Sequence, residues 1–356
     1  MPTSNEIIRL GITVSSASVT RAGFDSILLV GDETMVDPTQ AGPRGEATFD
    51  PGMVFKYTAD SQVGDEIVNG HLRDMISVAF GQQPSVGTVM VSYVDTEGAS
   101  AGIVGSDIQD MYEYESNWIG YCSVFETEAD VENQATKLLA LGKFYSILTS
   151  DSSFAPTVND YTAMWHTGTA YGTWSSSTNT SGRWANVASL SYFLAVTQGT
   201  YNPAFKKLQG IDSKQYTATE ETTLRANNLN QYSEIGGQAV TWDGKNGSGT
   251  GYIDTYLGAI YLQIRLTEDL MNLMIQSPKI PYTDPGIATV GSVISNRLTQ
   301  MTTDGYLDKN RPFTVNLPKA SSLTDKASRN LPGVSFIAYT SGAINTIEIQ
   351  GFIDAT

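Results

Sequence analysis

The sequence predicts an α/β (α+β) protein, in which helices flank a mixed, largely parallel sheet and an extended strand stands at each end of the chain. Three observations predict it. Short apolar runs alternate with helical repeats between Ser26 and Thr197, the pattern of strand–helix–strand units. Two long helical patterns joined by a proline-rich turn occupy Gly251–Gly305. Both ends carry residues that alternate apolar and polar, with period two.

In chain order, Ile8, Leu10, Ile12 and Val14 face one way with Arg9, Gly11 and Thr13 between them, which predicts a half-buried strand. A Ser/Thr/Ala-rich break follows at Ser15–Thr20. Ser26–Gly31 is a short apolar run suited to a buried strand, and 32–62 is rich in Pro, Gly and Asp and predicts loops around short strands. A helix is expected from Asp65 to Phe80, with Val68, Leu72, Met75, Ile76 and Ala79 on one face and Gly81 closing it. Then come a strand at Val86–Val94, a helix at Asp107–Ser116 and a strand at Trp118–Phe125. Thr127 caps a helix that runs to Leu141 and stops at Gly142, before a strand at Phe144–Leu148. A polar loop, Trp174–Arg183, precedes a helix over Trp184–Thr197. Residues 200–250 hold fewer apolar runs, with a strand over Tyr232–Trp242 and an exposed turn at Asp243–Gly249.

In the first pattern of the 251–305 segment, Ile253, Tyr256, Leu257, Ile260, Ile264, Met271, Met274 and Ile275 share a face. Leu266, Leu270 and Leu273 point elsewhere, so burial on more than one side is expected, as for the central scaffold of the core. Pro278 stops this helix, and Asp284-Pro285 caps the next, in which Ile287, Val290, Ile294, Leu298 and Met301 align and Gly305 closes. Phe313–Leu317 and Val334–Tyr339 are candidate strands. Ile347, Ile349 and Ile353 alternate in the last one, Thr346–Ile353. The chain divides into 1–19, a body at 20–225, a second part with the helical hairpin at 226–341, and 342–356.

Composition narrows the function. A net charge of −16 with no basic cluster argues against a nucleic-acid partner. No apolar run approaches the ~18 residues of a membrane span, and the amino terminus carries no signal-peptide pattern. The single cysteine, Cys122, lies in an apolar run and reads as a buried thiol, with folding in the cytosol. His71 and His166 have no second ligand at metal spacing. Gly247–Gly251 lacks the ending of a phosphate loop. The acidic set Glu126, Glu128, Asp130 and Glu132 suits a helix start. No catalytic, cofactor or metal residue is assigned. Trp165, Trp174, Trp184 and Trp242 leave open a carbohydrate-binding or glycoside-cleaving virion protein.

A further set of residues resembles the contractile phage tail-sheath family in its compact form. Phe80-Gly81-Gln82-Gln83-Pro84, Leu224, Asn230-Gln231-Tyr232, Gly251-Tyr252-Ile253-Asp254 and Ile280–Gly286 follow the family's order and spacing. Arg329-Asn330-Leu331-Pro332, Gly342-Ala343-Ile344-Asn345 and Ile347–Gly351 complete it. The resemblance implies a structural, non-enzymatic subunit of hexameric rings stacked helically around a tail tube, contracting to drive the tube through the host envelope. It implies that the subunit's partners are further copies of itself, the tube protein, and the baseplate and tail-terminator proteins. It also implies a virion location after assembly in the host cytoplasm. Terminal arms would link neighbours by adding strands to their sheets. On this reading Ile8, Leu10, Ile12, Val14, Ile347, Ile349 and Ile353 are arm residues, with Ser15 and Gly342 as hinges. Another repeating tail subunit, such as a tube protein, is the alternative within the same class.

Overall fold

The computed structural model describes residues 24–68, 70–96, 103, 105–149, 170–174, 182–247, 251–320, 323–345 and 347–348. Its centre is a six-stranded sheet: β1 (Ser26–Asp32), β2 (Phe55–Tyr57), β3 (Thr88–Val94), β4 (Gly120–Ser123), β5 (Phe144–Thr149) and β6 (Ala170–Trp174). The order is β2-β3-β1-β4-β5-β6, with all neighbours parallel except β2 against β3.

Connectivity decides which face each helix covers. From β1 the chain passes through α1 (His71–Gly81) to β3 on one side. It then returns over β1 through α2 (Gly105–Tyr114) to β4, and continues the same way through α3 (Glu128–Leu141) to β5. Right-handed crossovers running in opposite directions must land on opposite faces. Accordingly Ile27 and Leu29 of β1 pack with Leu72, Met75 and Ile76 of α1, while Leu28 and Val30 pack with Ile108, Met111, Val131 and Leu138 of α2 and α3. All of β1 except Asp32 is therefore buried. This is why it reads as a continuous apolar run. Burial of each such side chain stabilises the fold by about 1.5–3 kcal/mol.

Two further helices complete the body. The helix α4 (Ala185–Ala195) lies on the α1 face, where Gly120 admits it: a Cβ there would fall 2.8 Å from both Leu190 and Leu194. The helix α5 (Ala218–Ala226), which the sequence reading passes over, is closed by a capping box in which Thr217 and Glu220 satisfy each other's backbone N–H groups. Thr127 caps α3, and Gly142 ends it in the left-handed region, both as expected.

Several expectations are corrected. The first helix begins at His71 rather than Asp65, because Ile67 is held in a bridge to Val36 and Gly70 adopts φ +155°. Trp174 ends a strand instead of opening a loop. Tyr232–Trp242 is a hairpin, β7 (Gln231–Ile235) and β8 (Gln238–Trp242), because Gly236 and Gly237 both take positive φ, the demand of a two-residue hairpin turn. The hairpin of long helices, α6 (Ile253–Gln276) and α7 (Asp284–Thr303), is not wholly central. The first half of α6 enters the core through Ile253, Leu257, Ile260 and Ile264. Its second half leaves that core, and Met274 and Ile275 stand 47% and 74% exposed.

Candidate assembly interface

Beyond its root, α6 packs on α7 through a separate cluster of Leu262, Leu266, Ile294, Leu298, Met301, Tyr306 and Leu307. Tyr261 touches both this cluster and the main core, and Phe24 meets its ring edge-on at 5.2 Å. Midway along, Arg297 of α7 binds Asp269 of α6 with two guanidinium nitrogens, at 2.7 and 2.9 Å. The carboxylate holds the Arg297 guanidinium above its ordinary pKa.

The turn between the helices is built as the prolines require, with one change of role. Thr283, not Asp284, caps α7 by accepting from the Gly286 N–H, and Pro285 occupies the first turn. Asp284 instead accepts from the backbone N–H of Ala320 at 2.9 Å. It ties the turn to the segment that leads away from β9 (Thr314–Asn316). Leu317 presses against Gly291 of α7, where a Cβ would fall 2.6 Å from its side chain.

β9 pairs with β10 (Ser335–Ile337) in an antiparallel ribbon, in the register Ser335↔Asn316, Phe336↔Val315 and Ile337↔Thr314. Val315 and Phe336 face the α6–α7 cluster, while Ile337 is 53% exposed. Among the described residues neither strand has a second partner, so each keeps an outer edge of free backbone groups. The short helix α8 (Leu323–Ser328) lies between them in sequence.

After β10 the chain runs back along the end of α7. Asp308 donates its backbone N–H to Tyr339 O at 2.8 Å, and Ser341 donates to Tyr306 O at 2.9 Å. The Arg311 guanidinium sits 3.6 Å from the centre of the Tyr339 ring. Gly342 follows with φ +67° and nothing near it. Ile344 and Ile347 are each 76% exposed, and Ile347 and Glu348 belong to no strand. Of the arm and hinge residues read from the sequence, Ile8, Leu10, Ile12, Val14, Ser15, Ile349 and Ile353 lie outside the described residues. The sequence places Asn345 only in the Gly342–Asn345 stretch of the family resemblance and gives it no contact role, because an isolated Asn carries no periodic signal.

The residues weighed for chemistry are engaged in structure. Cys122 is fully buried in β4, and burial raises its thiol pKa. Glu126 pairs with Arg183 at 2.5 Å; burial raises its carboxyl, against the pull of that guanidinium. Asp130 accepts from the Ile103 N–H at 3.1 Å and from the Thr127 hydroxyl at 2.5 Å. His71 meets the Trp184 ring edge-on, and both line a cleft with Asp32, Glu126 and Arg183. Among the described residues no group of three or more His, Cys, Asp or Glu is placed to hold a metal ion, and no helix is long and apolar enough to cross a membrane. His166 lies outside them, as do residues 248–250 of the glycine loop.

The architecture is that of contractile-sheath proteins. A chain from the helical sheath of the anti-feeding prophage in its contracted state has the same fold, with a TM-score of 0.64 at 14% identity over 96% of both chains. A chain from the anti-feeding prophage baseplate gives 0.66 at 13% identity over 98% of both. One from the contracted sheath complex of PVC, an extracellular contractile injection system, gives 0.59 at 12% identity, covering 98% of this chain and 97% of that one. By sequence, residues 253–313 match the family model described as the C-terminal domain of E217 tail sheath protein gp31-like proteins. That stretch is the α6–α7 hairpin and the turn after it. The resemblance read from the sequence is borne out by these matches. A search of curated proteins gives no match.

Proposed function

We propose that the chain is a structural subunit of a contractile sheath, its work mechanical rather than catalytic. Subunits form hexameric rings stacked helically around a tube, and contraction drives the tube through the envelope of a host cell. The observation that carries this reading is the shared fold, which spans 96% or more of both chains in two contracted-sheath assemblies. A phage tail is the setting favoured by the match of residues 253–313 to a tail-sheath family model. The partners are then further copies, the tube protein, and the baseplate and tail-terminator proteins.

Residues 1–19 and 342–356 act as linking arms, with Ile8, Leu10, Ile12, Val14, Ile347, Ile349 and Ile353 as their apolar contacts. The β9–β10 ribbon, with its two open edges, is the acceptor best suited to added strands. A backbone hydrogen bond contributes about 0.5–1.5 kcal/mol net. Several per arm would hold neighbours together while the bodies turn as rigid blocks, and contraction would exchange one packing of the same surfaces for another.

Removing Met1–Val14 or Thr346–Thr356 tests the reading. Each truncated protein should keep the far-UV circular dichroism and solubility of the full chain, yet form no tubes or rings by negative-stain microscopy at concentrations where the full chain does. Normal assembly by both truncated proteins would refute the arms. Dispersed monomers of the full chain that turn over glycans would support the carbohydrate-active alternative instead.

A further inference from the structure

The C-terminal segment leaves the body through two attachments of different kinds, with a short exposed stretch between them. The first is made by main chain: Tyr339 O accepts from Asp308, Thr340 is bridged to Leu307, and Ser341 donates to Tyr306 O. The Ser341 hydroxyl also donates to Gly305 O. The second is made around Asn345, where Asn202 Nδ2 also donates to the neighbouring Ile344 O at 3.5 Å. Asn345 Oδ1 accepts from Asn202 Nδ2 at 2.8 Å, and Asn345 Nδ2 donates to Asp243 O at 3.3 Å. Its receptor is preset. Asn202 Oδ1 accepts from the Ala204 N–H at 3.0 Å, and Asp243 is held at φ +77° beside Lys245, an ion pair at 3.1 Å. Between the two attachments a Cβ on Gly342 would meet no atom within 4 Å, and Ala343 and Ile344 are exposed.

We propose that Asn345 is a releasable clip that gives the C-terminal segment two working lengths. With the clip closed, the last fixed point among the described residues is Asn345. Once it opens, the last fixed point becomes Ser341. Opening therefore lets out Gly342–Asn345, four residues that span about 14 Å when extended. The first attachment is a main-chain ladder against the end of α7, and the second is a few amide hydrogen bonds centred on the half-buried Asn345, so tension along the segment opens the second first. The use of this extra length, slack for a linking arm while neighbouring bodies move apart, rests on the sheath reading above. The clip itself does not.

Site-directed spin labelling of the full-length subunit separates the two. A nitroxide on Ala343→Cys, with the native Cys122 buried, reports the stretch between the attachments. The expected result is a restrained spectrum in the parent. In Asn345→Ala and in Asn202→Ala, which remove opposite sides of the same hydrogen bond, the correlation time should shorten several-fold at an unchanged urea midpoint. Equal mobility in the parent and both variants would overturn the clip, and so would loss of cooperative folding in both variants. Labelled subunits that show the mobility change yet form no tubes would leave the clip standing and count against the sheath reading.

Discussion

Arg297 and Asp269 bind each other in a fork, two parallel N–H···O bonds joining α7 to α6 beyond the point where α6 has left the main core. Their side chains are 14% and 27% exposed, so the pair is neither fully desolvated nor freely screened. A double-mutant cycle of Arg297→Ala and Asp269→Ala should give a coupling of about 1 kcal/mol by urea denaturation. Arg297→Lys keeps the charge but cannot present the fork, and should recover less than half of it. A coupling near zero would show that the hairpin is held by its apolar seam alone.

Tyr306 and Gly258 approach closely in the same region. A Cβ at position 258 would fall 2.0 Å from the Tyr306 ring, whose hydroxyl donates to Thr255 O at 2.7 Å. Gly258→Ala should therefore displace the ring, break that bond and lower stability by about 2–3 kcal/mol. Tyr306→Phe removes only the hydroxyl and should cost about 1 kcal/mol. Comparable losses in the two variants would mean that the ring's position is not what Gly258 protects.

Lys143 gives a prediction in pH. Its ammonium is buried, donates to Ser116 O at 2.8 Å and to Trp118 O at 2.6 Å, and lies 4.5 Å from the centre of the Trp118 ring. Burial pushes its pKa down to about 7, against the pull of Glu115. The unfolded chain keeps an ordinary lysine near ~10.4, so between about 7 and 10 it holds more protons than the folded one. Stability attributable to Lys143 should rise with pH across that window, by at most about 1.4 kcal/mol per unit, and be flat below it. Urea midpoints at pH 6, 7.5 and 9 for the parent and Lys143→Met check this. The difference between the two proteins should move in the parent's favour as pH rises, and a constant difference would count against it.

Much of the body was legible because local signals and tertiary demand agree there. The apolar run at Ser26, the Thr127 cap with Gly142, and the prolines after Gln276 each name an element and an end. The misses have physical causes. Ile67 falls inside the helix expected over Asp65–Phe80 yet is claimed by a bridge to Val36. Gly236-Gly237 falls inside the strand expected over Tyr232–Trp242, although positive φ at both residues is what turns a hairpin. The far half of α6 shows the deepest limit. Met274 and Ile275 carry the same helical repeat as Ile260 and Ile264, and periodicity states which side chains share a face, not whether their own chain covers it. The assembly residues were less legible than the body. Asn345, Asn202 and Asp243 come together across 143 positions of sequence, and their spacing follows no repeat.

Continuity of α6 through two separate apolar clusters has a mechanical consequence. At 1.5 Å per residue its 24 residues make a rod of about 36 Å, rooted at one end in the main core and braced along the rest by α7. A load on the outer end would be delivered to that core as torque. A tilt of about ten degrees at the seat carries the outer end through about 6 Å, farther than the rise of one helical turn. The α6–α7 hairpin is thereby a lever whose fulcrum is the row Ile253, Leu257, Ile260 and Ile264.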